Sequence, residues 1–141
     1  MLELMKVAAS REENVSYMNA ILPVQDSFDL IQRDIYVGGR AATFYFIDGF
    51  TKDEVMLKII DGIMKVKKED MSPDATQFVR QYLPYVEVDV IDDFDQILRN
   101  ILSGVTCMFI DGYEAAIAID ARTYPARSVE EPEKDKSLRG S

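Results

Sequence analysis

Segments of helical and of strand periodicity alternate along the chain, each closed by glycine, proline or an acidic corner. Ser10-Arg11-Glu12-Glu13 has the form of a capping box: the serine serves a free backbone N–H three residues on, and the glutamate reaches back. Val15, Met18, Ile21 and Leu22 follow at helical spacing until Pro23, which lacks a backbone donor, ends the segment. Phe28 to Val37 reads as an edge strand, apolar on both faces but broken by Arg33 and Asp34. Gly38-Gly39 predicts a tight hairpin, because both residues take positive φ without steric cost. Ala41 to Ile47 is continuously apolar, as a central strand would be.

Thr51 and Glu54 form a second capping box ahead of Val55, Met56, Ile59, Ile60, Ile63 and Met64, a stripe fit to face a sheet. Lys65 to Met71 is a charged loop. Ser72 predicts the cap of a third helix with Pro73 at its first position, running to Leu83 before Pro84. Val86, Val88 and Val90 alternate with Glu87 and Asp89, the pattern of a strand with one wet face. Asp92 and Asp93 open a fourth helix whose stripe is Phe94, Ile97, Leu98, Ile101 and Leu102, and Gly104 closes it in the left-handed region. Val105 to Ile110 is another apolar strand, turned by Asp111-Gly112 into a last one, Glu114 to Asp120.

These elements predict an α/β fold, a mixed sheet of about five strands with helices packed on it. The expected division is an N-terminal leader over 1–10, one compact subdomain over 11–125 and a polar linker over 126–141. Ser128 to Ser141 holds only Val129 and Leu138 as large apolar groups, too little burial to offset the entropy of ordering it.

Composition narrows the chemistry. At 141 residues and 48% hydrophobic content the chain suits a single packed domain. Its net charge of −9 and scattered basic residues, densest at Lys65, Lys67 and Lys68, argue against a nucleic-acid partner, since phosphate binding needs clustered Lys and Arg. The absence of histidine removes His acid–base catalysis, Ser-His and Cys-His pairs and His-ligated zinc. Neither a GxxxxGK[ST] loop nor a GxGxxG fingerprint is present. The lone cysteine, Cys107, lies in an apolar run and reads as a buried, inert thiol.

Glu3 and Lys6 interrupt the first stretch, so no secretory signal is read there. No run approaches the ~20 apolar residues of a membrane span, and the chain as given reads as soluble. Asp92, Asp93 and Asp95 suit helix capping, and Glu130, Glu131 and Glu133 suit a solvated linker. Neither group has the spacing of a cation loop, so no cofactor or metal is expected.

Phe-Ile-Asp-Gly-aromatic occurs twice, at Phe46 to Phe50 and Phe109 to Tyr113. Turn chemistry accounts for both, because Asp bonds its own following backbone and Gly supplies the unusual dihedral. The alternative places both corners at one edge of the sheet, where Asp48, Gly49, Asp111 and Gly112 would line a ligand site. Arg122 and Arg127, with Tyr124 between them, suit either a carboxylate or phosphate ligand or an exposed linker.

The last third resembles a known family. Ile101-Leu102-Ser103-Gly104, Cys107 to Gly112, and Ala115 to Asp120 are similar to the end of the first subdomain in GerA-family spore germination proteins. The likeness continues through Arg127, Glu131-Pro132, Glu133 and Arg139-Gly140-Ser141. Upstream it is carried by Ser27-Phe28-Asp29, Arg33 and Tyr45 to Gly49. The Ser-Phe-Asp start resembles the branch of stage V sporulation proteins more than the nutrient-receptor A subunits.

The resemblance implies the N-terminal part of a spore inner-membrane protein, facing the core cytoplasm, with membrane spans further along the parent chain. It implies a non-enzymatic role in germinant-triggered germination, through assembly or sensing, with a small-molecule (germinant) binding module forming one wall of a cleft as the alternative. The implied partners are a second subdomain and the membrane region of the parent chain, other germination subunits, and further copies in a homo-oligomer. Arg127, Glu131, Pro132, Glu133, Arg139 and Gly140 would then mediate pairing between subdomains.

Overall fold

The computed structural model describes residues 6–22, 30–47, 53–83 and 87–121. Helices α1 (Arg11–Ile21), α2 (Asp53–Ile63), α3 (Ala75–Tyr82) and α4 (Phe94–Leu102) pack on a sheet of β1 (Leu30–Val37), β2 (Arg40–Ile47), β3 (Val88–Ile91), β4 (Thr106–Ile110) and β5 (Ala116–Ile119). The strand order is β1-β2-β4-β5-β3. Both faces are covered. Phe44, Met108, Ile110, Ile117 and Ile119 meet Met56, Ile59 and Ile63 of α2 and Phe78 of α3. On the other face, Tyr45, Ile47, Cys107, Phe109 and Ala118 meet Met18 of α1 and Phe94, Ile97 and Ile101 of α4. Burial from both sides is why the central strands are unbroken apolar runs instead of alternating ones.

The expected five-strand α/β architecture is present, but among the described residues the sheet is not mixed: every pairing is antiparallel. β3 and β4 do run in the same direction on either end of the α4 crossover. β5 inserts between them and pairs antiparallel with both, the split β-α-β arrangement. Periodicity finds the crossover but carries no information about which strand fills the gap.

Local signals account for most element ends. The Ser10 side chain accepts from the Glu13 N–H at 3.3 Å, forming the expected cap. Gly38 and Gly39 adopt φ of 58° and 80°, and Val37 pairs with Arg40 across the two-residue turn. The third helix starts later than predicted. Asp74, not Ser72, is its cap, accepting from the Gln77 N–H at 2.9 Å. Ser72 is buried instead, and its hydroxyl donates to Gln81 Oε1 at 3.1 Å. The charged loop contains one 3₁₀ turn, Lys68–Asp70.

Two residues of the predicted stripes face outward. Met64 lies beyond the end of α2 and is 51% exposed, and Leu102, in the last turn of α4, is 47% exposed.

Candidate functional site

The Asp111–Gly112 corner joins three parts of the fold. The Asp111 carboxylate accepts from the Arg11 N–H at 2.8 Å, serving one of the unpaired donors at the start of α1. The Gly112 N–H donates to the Ala9 carbonyl at 2.7 Å, and the Asp111 N–H to Ala41 at 2.9 Å. Arg40 donates from Nη1 to the Asp111 carbonyl at 3.3 Å, and its guanidinium lies 5.2 Å from the centre of the Tyr113 ring. Tyr113 in turn donates to the Ser72 carbonyl at 2.7 Å. The corner thus ties the segment before α1 to the β1–β2 hairpin and to the approach to α3.

The strands that lead into the two Asp-Gly steps, β2 and β4, finish at opposite ends of their shared pairing. β2 and β4 are antiparallel neighbours, with Ala42 opposite Ile110 and Tyr45 opposite Cys107. Asp111 therefore follows the end of β4 beside the start of β2, whereas Ile47, the residue before Asp48, ends β2 beside the start of β4. About five residues of strand, at roughly 3.4 Å each, separate those ends. Asp48 and Gly49 themselves lie outside the described residues, as do Arg122, Arg127, Glu131, Pro132, Glu133, Arg139 and Gly140.

A polar cluster that periodicity did not reveal sits where α1 crosses β2. Thr43 is fully buried; its hydroxyl donates to Asp34 Oδ1 at 2.7 Å and accepts from Arg11 Nη1 at 3.4 Å. Arg11 Nε is buried with no hydrogen-bond partner among the described residues. The Tyr45 hydroxyl donates to Asn19 Oδ1 at 3.1 Å. Burial raises the Tyr45 pKa far above its ordinary value; Asp34 adds to the shift and Arg11 opposes it. Thr43 alone, inside an otherwise apolar run, was the available signal.

Cys107 is buried, and burial pushes its thiol up from 9.0 to about 12. Burial also raises Tyr113, with Arg40 opposing. These groups keep their protons in the folded state to higher pH than in the unfolded chain. Their contribution to stability is therefore complete below about pH 9 and is lost as the pH rises through the folded-state values. Stability is expected to fall by up to about 1.4 kcal/mol per pH unit for each such group. Urea midpoints measured in steps from about pH 8 to 11 should drop less steeply in Cys107→Ala. Equal slopes would contradict the assignment.

A family model described as Bacillus/Clostridium GerA spore germination protein matches residues 17–141. The chain belongs to the GerA family. It is 23% identical over 140 residues to Stage V sporulation protein AF of Bacillus subtilis (strain 168), covering 99% of this chain and 28% of that protein. It is 25% identical over 115 residues to spore germination protein GerLA of Bacillus cereus, covering 79% of this chain and 23% of that protein. The chain thus spans about a quarter of the length of these relatives.

Its fold matches the crystal structure of the N-terminal domain of the A subunit of the Bacillus megaterium spore germinant receptor GerK3. The TM-score is 0.62 at 18% identity, covering 84% of this chain and 98% of that one. Among the described residues, no helix is long and apolar enough to cross a membrane.

Two surface features of this GerA-family domain remain. A crevice of about 280 Å³ lies between β3, β5 and the end of α4, lined by Glu87, Asp89, Asn100, Ser103 and Asp120. Separately, Leu57 and Met64 are 68% and 51% exposed, with half-buried Ile60 between them. Leu57 and Ile60 lie one turn apart on α2, and Met64 follows just past its end, its N–H donating to the Ile60 carbonyl at 2.9 Å. Tyr36 on edge strand β1 is also 68% exposed.

Proposed function

We propose that this domain is a non-catalytic assembly and sensing module in germinant-triggered spore germination. It would lie on the cytoplasmic side of the spore inner membrane, with the membrane region further along the parent chain. The observation carrying this reading is how the domain distributes its chemistry. Asp111, Asp34, Tyr45, Tyr113 and Ser72 are committed to internal junctions, while the Leu57–Ile60–Met64 flank and Tyr36 offer apolar contact outward. Exposed apolar side chains grouped on and just past one helix suit a protein partner better than water. The linker residues Arg127, Glu131, Pro132, Glu133, Arg139 and Gly140 would add charged and turn contacts to a neighbouring subdomain or subunit.

The test is co-purification of the parent protein with its other germination subunits. Leu57→Glu combined with Met64→Glu should reduce recovery at least about tenfold, the effect of losing a buried apolar anchor. The melting point of the 141-residue chain should stay nearly unchanged, because both side chains face outward. Undiminished recovery would sink the assembly reading. The polar crevice at Glu87, Asp89 and Asp120 supports a second reading, a small-molecule site forming one wall of a cleft. A rise in the chain's melting point with an amino acid, sugar or nucleoside, absent in an Asp89→Ala variant, would favour that reading.

A further inference from the structure

The two edges of the sheet differ in how they meet solvent. β3 is short, and acidic side chains line it and its continuation at Glu87, Asp89, Asp92 and Asp93. A short edge of one charge resists pairing with another strand. β1, the opposite edge, runs over Leu30–Val37 and is matched residue by residue to β2, without a bulge or a proline. Its charges are one of each sign, Arg33 and Asp34.

Only every second residue of β1 bonds to β2. Val37 and Arg40 close the two-residue hairpin, and the Asp111 N–H reaches the Ala41 carbonyl from the far side of β2. Ala41 therefore faces β4 and Arg40 faces β1, which assigns Ile31, Arg33, Ile35 and Val37 to the ladder with β2. The backbone groups of Leu30, Gln32, Asp34 and Tyr36 point away from the sheet. Among the described residues they have no backbone partner.

Side chains along this edge define what suits it. Asp34 is already engaged, its carboxylate accepting from the Thr43 hydroxyl at 2.7 Å. Arg33 is exposed and, among the described residues, makes no ion pair or hydrogen bond. Half-buried Ile31 and Ile35 flank it on the same face, and Tyr36 is 68% exposed on the other. A second copy fits poorly. Antiparallel partners share a face, so the two longest two-fold registers set Arg33 against its own counterpart, or Asp34 against its own. Like charges directly opposite one another are destabilising.

We infer that the outer edge of β1 is a strand-addition site for an extended segment of another protein, acidic opposite Arg33 and apolar opposite Ile31 and Ile35. Backbone bonds to Gln32, Asp34 and Tyr36 supply the attachment, and the charge at Arg33 sets the register. The site deepens the assembly reading, on which its use in germination rests, by naming the chemistry of the segment bound.

The probe is a blocked synthetic peptide of alternating valine and threonine, its central valine replaced by glutamate. Added to the 141-residue chain, it should slow amide exchange at Gln32, Asp34 and Tyr36 at least about tenfold and leave β4 and β5 unchanged. Lysine in place of that glutamate should weaken binding about five- to tenfold, and Arg33→Glu should reverse the preference. Gln32→Pro removes an outward N–H but no bond to β2, so the chain should nearly keep its melting point and lose the peptide. Absence of added protection, or equal binding of both peptides by the chain and by Arg33→Glu, would overturn the site. Protection of the same amides by raising the chain concentration alone would make a second copy the occupant and overturn the acidic-strand assignment. Co-purification with Leu57→Glu and Met64→Glu reads the assembly proposal without the peptide, so the two can fail separately.

Discussion

Phe109→Ala is expected to cost about 3–5 kcal/mol of unfolding free energy, the range for emptying a large aromatic site in a core. Phe109 is fully buried in the middle of β4. The Tyr45 ring meets it edge-on at 6.2 Å and the Phe94 ring stacks at 6.0 Å, so one residue links β2, β4 and α4. Removing it leaves a cavity that three rigid elements cannot close. Against a total stability of about 5–15 kcal/mol this is a large share. Urea unfolding should show a lower midpoint with an unchanged slope. A loss below about 1 kcal/mol would mean the site collapses freely, contrary to the packing described.

Gly112→Ala is expected to destabilise by about 1–3 kcal/mol, because the native backbone at that residue has a conformation that L side chains rarely adopt. Gly112 sits at φ 98°, and an added Cβ would lie 2.8 Å from Arg40 Nη1. The arginine end can move, but doing so takes it off the Tyr113 ring and the Asp111 carbonyl. Asp111→Ala should cost about 1 kcal/mol through the lost contact at the start of α1. Thermal and urea unfolding of both variants separates the two readings of the corner. A stability loss that accounts for any functional defect assigns it to architecture. Unchanged stability with lost germination in the parent protein would make it a ligand contact.

Helix and strand positions were legible because their causes are local. Ser10 caps α1 through its own side chain, Gly38-Gly39 takes the two positive dihedrals of a tight hairpin, and Asp93 caps α4 by accepting from Asp95. Where two local signals compete, tertiary contacts choose. Ser72 and Asp74 could each cap α3, and Ser72 is withdrawn because its carbonyl receives the Tyr113 hydroxyl while its side chain reaches Gln81. The Arg11–Thr43–Asp34 cluster was invisible for the same reason. Its members come from three elements, and nothing in their spacing says that α1 lies over β2.

The amino-acid order by itself determined the element types, the five-strand α/β class and the family likeness, all of which arise from side-chain periodicity, turn residues and short motifs. It also determined that the thiol of Cys107 would be buried, since the residue sits within an unbroken apolar run. Only the tertiary structure decided that β5 enters between β3 and β4 and makes the sheet wholly antiparallel. The antiparallel pairing of β2 with β4 places the end of β2 and the end of β4 at opposite ends of that pair. The physical reason is that strand pairing is a long-range choice: backbone hydrogen bonds are alike in every register and order, so the packing of both faces selects among them.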